Sequence, residues 1–506
     1  MRSSRGAPSS LIESPRSSHE RSNTIASIFN IGDGLGGGKT IGWVGSLCLL
    51  VNNITGPAML SIGTVFAQAG WVPSVLLFVL CGVLACFASV FLRIAIESLG
   101  SNIGFARRVE ITDAIKERHI PRWAFSCSLW GFILLFIASN VSSIVESAQT
   151  MDQLFVNYAG KSCALGVYPP CGFYCVLSDS DDSEGKECTT AASSSDSPFG
   201  SSWVISLGFL ATMTVVIPLS FLNLDDNIMV QNASFLCLAA IVFEWCYQFV
   251  GLGLTRDEPP AVGKSFSNLF GNVLFNFAFI LTIPSWLNEK KPEVDVNETV
   301  TWSVWLSVLM FVVLGYTAAS VYPSEFRDSN DDLLTVILDG DSGATAFTRT
   351  CAYIFPPVVL WSGIPVFSII VRYNLLQEGL CGPRAANFIA VVSPWIFSLL
   401  LYSGTLLNSL MNWTGLLVVV PLNFILPCYL YLKSRSTEQD TRMLSARSEL
   451  ENPLNGPSLT TPAENTECLD GSWYFGVNLE RHGVLVARLI IVVTTILNVV
   501  AIVYAF

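Results

Sequence analysis

The sequence predicts an all-α polytopic membrane protein of eleven spanning helices, on three observations. The chain has 506 residues, 51% hydrophobic and only 13% charged, with mean hydropathy +0.54; soluble domains carry about a quarter charged residues. Apolar stretches long enough to cross ~30 Å of hydrocarbon as helices recur from residue 41 to the end. Lys and Arg are also unevenly spread. With the N-terminus inside, the segments on its side hold 21 of the 27 basic residues and the opposite segments hold 6, the bias expected of cytoplasmic loops. The net charge of −12 lies largely in loops and tails and points to no nucleic-acid partner.

Residues 1–40 are Ser-, Arg-, Pro- and Gly-rich, the composition of a disordered cytoplasmic tail. They contain no apolar core of a cleavable signal, so the first span is expected to direct insertion. The tail ends in GDGLGGGKT, which fails as a phosphate-binding loop because Asp33 stands where the motif needs glycine. The spans then fall at about 41–69, 71–95, 123–155, 202–222, 228–253, 267–288, 300–322, 346–374, 384–403, 405–433 and 483–505. The segment 156–201 is read as an outward loop with Cys163, Cys171, Cys175 and Cys188, enough for up to two disulfides in any of three pairings. The segment 434–482, rich in Ser, Glu and Pro, is read as a disordered cytoplasmic loop.

Two spans carry interruptions. In the first, "NNITGPAML" (Asn52 to Leu60), Pro57 has no amide hydrogen, so the carbonyl of Asn53 loses its helical partner. Gly56 tolerates the extended backbone that precedes proline. Free backbone groups survive in hydrocarbon only where protein buries them or water reaches them. A free carbonyl can hold a cation, and the amides opening the second half-helix, at Ala58 and Met59, can hold a carboxylate. In the sixth span Asn276 lies within the helix and Pro284 releases the carbonyl of Ile280. These spans open two five-helix sets, 41–253 and 267–433, with 483–506 left over as an eleventh helix. Interrupted helices at matching positions of two halves point to inverted repeats and secondary transport.

"NNITGPAMLSIGTVFAQAGW" (Asn52 to Trp71) resembles the first-helix signature of the amino acid/auxin permease family. "FAFILTIPSWLNEKKP" (Phe277 to Pro292) is similar to its sixth-helix region, and "RTCAYIFPPVVLWSGIPVFSIIVRYNL" (Arg349 to Leu375) to its eighth helix. The chain departs from many members in having Gly63 where they have proline, with Pro57 earlier. The resemblance covers about residues 40–505. It implies a LeuT-type fold, a 5+5 inverted repeat plus one helix, and amino acid transport driven by a cation gradient.

On that reading the substrate residues are Asn53, Thr55, Gly56, Pro57, Ala58 and Met59 of the first span, and Asn276, Phe277, Ala278 and Phe279 of the sixth. Two carboxylates inside spans are candidates for proton coupling: Glu146, on a polar stripe of the third span, and Glu244, in the fifth. Sodium would instead use oxygens of Asn53, Ser362 and the free carbonyls. Protons are favoured over sodium. No metal-spaced His/Cys cluster and no nucleophile–base pair is visible, so neither an enzyme nor a cofactor is expected. The expected partners are a neutral amino acid, H⁺ or Na⁺ and the bilayer of a plasma or vacuolar/endolysosomal membrane. A sensor that binds amino acids with little flux is the alternative.

Overall fold

The computed structural model describes residues 39–100, 102–166, 172–177, 199, 204–224, 226–329, 332–402, 404–451 and 473–505. The tail up to residue 38, Cys171, Cys188 and Asp225 lie outside them.

The first span consists of two helices, α1 (Trp43–Ile54) and α2 (Ile62–Ala69), joined by a 3₁₀ turn at Pro57–Met59. α3 (Trp71–Glu97), the short α4 (Ile111–Glu117), α5 (Arg122–Ala159), α6 (Leu207–Ser220) and α7 (Ile228–Leu252) complete the first set. The second set opens on α8 (Leu269–Asn276) and α9 (Ile283–Glu289), joined by a 3₁₀ stretch at Ala278–Thr282. Next come α10 (Val296–Val321), the short α11 (Leu333–Leu338) and α12 (Ala346–Phe355), which continues through a π-helical stretch into α13 (Trp361–Gln377). α14 (Pro383–Asn387) runs similarly into α15 (Ser393–Leu400), and α16 (Gly404–Thr414) into α17 (Leu426–Glu451). α18 (Leu479–Ala505) stands outside both sets. Among the described residues nine helices are long and apolar enough to cross a membrane, and the other two expected crossings fall on shorter apolar helices, α1 and α6.

Packing repeats between the sets. α1 lies on α7, and its counterpart α8 lies on the stretch Gly415–Ile425. Across the sets α3 packs on α10, and α5 on α13. Five crossings are an odd number, so the second set enters from the opposite face of the bundle, which is the geometry of an inverted repeat. This is an all-α polytopic architecture of the predicted class.

The contact between α8 and Gly415 is closer than side chains allow. A Cβ on Gly415 would run into the carbonyl oxygen of Gly271, and one on Gly271 into Asn412. Glycine is therefore required on both sides of the crossing. Gly415→Ala is expected to cost about 1–3 kcal/mol by overpacking. A thermal melt of the purified variant checks this: an unchanged midpoint would mean that the helices separate freely.

Local signals set several helix ends. Ser206, Asp295 and Thr345 cap α6, α10 and α12, their side-chain oxygens accepting from the amides of Phe209, Glu298 and Thr348. Between α5 and α6 a three-stranded antiparallel sheet forms from β1 (Lys161–Gly166), β2 (Phe173–Leu177) and β3 (Val204–Ser206). Cys163 faces Cys175 across β1 and β2, and the two form a disulfide.

Of the expected disordered loop 434–482, residues 452–472 lie outside the described residues, and the flanking parts are ordered elements. Helix α17 continues to Glu451, and residues 473–478 form a two-stranded hairpin. Lys433 to Glu451 holds three Arg, three Glu and two Leu, good helix formers, and no Gly or Pro. An Arg435–Glu438 pair at 3.0 Å adds local support, and the first strong breaker is Pro453.

Candidate binding site between the broken helices

The first helix stops because of its own sequence. Thr55 turns its hydroxyl back to the carbonyl of Val51 at 2.8 Å, and Gly56 is extended (φ −81°, ψ −158°). Backbone bonding resumes only at the 3₁₀ contacts from Met59 N to Gly56 O and from Leu60 N to Pro57 O, both 3.0 Å. In the sixth span Phe277 bends the chain (φ −92°, ψ 19°) before the 3₁₀ stretch.

The two breaks meet. Asn53 donates its side-chain amide to the Thr282 hydroxyl at 3.3 Å, and that hydroxyl donates to the Phe279 carbonyl at 2.7 Å. Between them is a gap of about 10 Å³, room for roughly one water molecule. The first break contributes Asn53, Ile54, Gly56, Pro57 and Ala58 to its wall, and the second Phe275, Asn276 and Ala278. Ser139 of α5 and Phe367 of α13 close the sides. No lining residue is ionisable. The Oδ1 atoms of Asn53 and Asn276 are buried and accept no hydrogen bond. An orphaned buried acceptor costs about 1–3 kcal/mol, so both call for a donor.

The other predicted substrate residues are buried but do not line the gap. Thr55 is occupied by Val51, and Met59 and Phe279 point into the core. The Phe277 ring packs near Phe78, with centroids 6.5 Å apart. In a tight 3₁₀ turn alternate side chains leave in divergent directions, so only some of a contiguous motif can face one gap. Ile54, Ser139, Phe275 and Phe367 were not among the predicted site residues. Ser139 lies on the polar stripe of the third span, but nothing in the sequence marks Ile54, Phe275 or Phe367 apart from the surrounding core.

The predicted ion residues disperse. Glu146 is buried on α5, seven positions beyond Ser139, hence ~10 Å along the helix and outside the gap. Glu244 accepts from the Thr348 hydroxyl at 2.7 Å, at the contact of α7 with α12. Asn53 and Ser362 belong to separate networks. It is Asn52 that connects toward Ser362, through Gln231 of α7. Asn52 Nδ2 donates to Gln231 Oε1 at 2.8 Å and to its carbonyl at 2.9 Å. Gln231 Nε2 donates to the Ser362 carbonyl at 2.7 Å, and the hydroxyls of Ser234 and Ser362 lie 2.9 Å apart. Successive helical residues point about 100° apart, so Asn52 faces α7 while Asn53 faces the second break. An apolar span carrying Gln231 was the available signal.

The far ends of α2 and α8 border a wider cavity of about 500 Å³. It contains Gln68, Asn268 and Lys264, and the Arg327–Glu258 ion pair at 2.6 Å lies at its edge. Loop, α9 and α13 residues seal the opposite end of the bundle. Arg108 pairs with Glu289 at 2.7 Å and stacks over Tyr373, 4.7 Å from the ring centre. Trp286 Nε1 donates to Ser46 at 2.9 Å, and the backbone of Ile41 bonds to Glu289 and Lys291.

No family model and no curated protein matches this sequence. Among solved structures, the chain is similar to the inward-facing conformation of Mhp1, with TM-score 0.51 and 13% identity over 78% of this chain and 77% of that one. It also aligns with a manganese transporter from Eremococcus coleocola in complex with an aromatic bis-isothiourea substituted compound, with TM-score 0.46 and 14% identity over 98% and 97% of the chains. The Mhp1 likeness, at that identity, bears on architecture alone. With the paired breaks and the repeated packing, it gives this chain the LeuT-type fold.

Proposed function

We propose that this chain is a secondary active transporter of the amino acid/auxin permease type, moving neutral amino acids with protons. The observation that carries the reading is the meeting of two broken helices around a gap where Asn53 and Asn276 present unpartnered acceptor oxygens. A substrate ammonium satisfies these oxygens together with the Asn53 carbonyl that Pro57 leaves unpaired. The carboxylate rests on the amides of Gly56 and Ala58, since the Met59 amide is taken by the Gly56 carbonyl. Ile54, Phe275 and Phe367 offer the side chain an apolar wall without charge, which favours neutral substrates.

A gap of about 10 Å³ is far smaller than an amino acid, whose sites run to hundreds of Å³. Binding therefore requires α2 and α8 to move away from α5 and α13, the rocking motion of alternating access. Proton coupling is preferred because the Gln231 amide already bonds to both Asn52 and the Ser362 carbonyl, where the sodium reading needs an ion. Glu146 is the proposed proton carrier. The end with the Cys163–Cys175 disulfide faces the oxidising side, and the N-terminus the cytoplasm.

The test is uptake of labelled amino acids into proteoliposomes under a proton gradient and, separately, a sodium gradient. Accumulation above equilibrium under the proton gradient is expected. Saturable binding without accumulation in either gradient would replace the transporter with the sensor.

A further inference from the structure

The cavity of about 500 Å³ and the gap of about 10 Å³ lie at the two ends of one polar face of α8. Asn268, Asn272 and Asn276 follow one another at intervals of four residues. Each step therefore turns only about 40° around the helix and advances about 6 Å along it. Asn268 lines the cavity, Asn276 lines the gap, and Asn272 stands between them. The other face of α8 is apolar: Leu269 and Phe270 border a surface groove with Leu76, Leu80 and Tyr504. Asn272 is 5% exposed, and its Oδ1 accepts no hydrogen bond. Its main-chain carbonyl is occupied, taking the Asn276 side-chain amide at 2.9 Å. The Oδ1 atoms of Asn272 and Asn276 are thus two successive acceptors without a donor.

α2 presents a matching face. Ser61, Thr64 and Gln68, three and then four residues apart, share one side of the helix and are buried. The other side packs elsewhere, Ile62 and Phe66 on Gly315 of α10 and Gly63 on the Phe326 ring. The polar file of α2 begins at the gap, where the Ser61 hydroxyl donates to the Ala58 carbonyl at 3.0 Å. It ends at the cavity, where Gln68 Oε1 accepts from Asn268 Nδ2 at 3.1 Å. The two faces thus come together at both ends. Polar side chains within spanning helices face protein or water and mark the routes of polar cargo.

We propose that Asn272 contacts the substrate on its way from the cavity to the gap, its Oδ1 accepting from the ammonium group of the amino acid. The proposal rests on the reading that the gap is the amino acid site. The asparagines are then steps about 6 Å apart. An ammonium group carries three donors, so it takes hold of one amide oxygen before it leaves the previous one and is never stripped of all its bonds. A neutral acceptor suits a step better than a carboxylate, whose charge-assisted bond is about twice as strong and would hold the cargo in place. The cavity already has the size of an amino acid site, hundreds of Å³, whereas the gap reaches it only when α2 and α8 move. The substrate therefore starts at Asn268 and passes Asn272 as the helices part.

The experiment measures association rate, dissociation rate and equilibrium affinity for tritiated L-alanine and L-leucine, a small and a large neutral amino acid, on the full chain in lipid nanodiscs. Asn272→Leu is expected to slow association and dissociation alike, by about tenfold, the effect of one hydrogen bond to a charged group. Its affinity stays at the wild-type value, because the settled substrate no longer touches this side chain. Asn276→Leu, at the gap itself, weakens the affinity instead. Asn272→Asp has nearly the same shape and keeps an acceptor, so it associates at least as fast as wild type. A purely structural Asn272 gives the reverse order, with the apolar variant tolerated and the acidic one disruptive. If Asn272→Leu fails to fold, Asn272→Ala is read in its place, with the same slowing at constant affinity expected. Wild-type rates in the apolar variant, or a loss of affinity that matches the loss of association rate, overturn the proposal and leave the transporter standing. Slowed rates at constant affinity in a protein that binds without accumulating amino acid sustain the proposal and replace the transporter with the sensor. Binding of neither amino acid overturns both.

Discussion

Asn276→Leu is expected to lower amino acid uptake about 10- to 150-fold without lowering the stability of the protein. The magnitude is that of one hydrogen bond to a charged group, about 1.5–3 kcal/mol, converted at 1.36 kcal/mol per tenfold. The direction of the stability effect comes from the free side chain. Asn276 Nδ2 donates to the Asn272 carbonyl at 2.9 Å, while its Oδ1 is buried without a donor. Leucine loses the modest bond and removes the orphaned oxygen, and these changes offset one another. A substitution that spares the fold and removes function is the signature of a group kept for its ligand. Uptake rate and melting midpoint, measured on one preparation, check both halves. Unchanged uptake would show that the gap is not on the substrate path.

Gln231→Ala is expected to cost about 2–4 kcal/mol of stability. It deprives the Ser362 carbonyl of its 2.7 Å donor and Asn52 of its 2.8 Å acceptor, at a fully buried position joining three helices. Broken buried networks and new cavities reach this size. Uptake should fall with it, because α1, α7 and α13 lose their common tie. The same network predicts that wild type melts at the same temperature in sodium and choline chloride. Sodium at 100 times its dissociation constant would add about 2.7 kcal/mol, so a clear sodium-dependent rise in the wild-type midpoint would place an ion there and reverse the coupling preference.

The legible parts of the site were those in which local backbone chemistry decides. Pro57 and Gly56 interrupt the first span wherever it packs, and the gap duly draws on Asn53, Gly56, Pro57 and Ala58. The sixth-span break was read from Pro284, yet that proline sits in the first turn of α9, where it is tolerated. The chain actually bends at Phe277 and Ala278, upstream. The separation of Asn52 from Asn53, the diversion of Glu244 to Thr348 and the meeting of Gln68 with Asn268 have no local signature. Each depends on which helix is the neighbour. The length of α17 has another cause: the polar composition that suits a disordered loop also includes good helix formers, three Arg, three Glu and two Leu between Lys433 and Glu451.

The sequence by itself determined a bundle of spanning helices in two sets, and the break at Gly56 and Pro57 that opens the first. Hydropathy, proline and glycine act within a few residues and need no tertiary partner. The tertiary structure alone decided which broken-helix side chains share the gap, that Gln231 links Asn52 to Ser362, and that the polar faces of α2 and α8 meet. Those outcomes follow from helix rotation and crossing. A turn of about 100° per residue sends adjacent side chains to different neighbours, and packing between residues more than a hundred positions apart sets which neighbour each one meets.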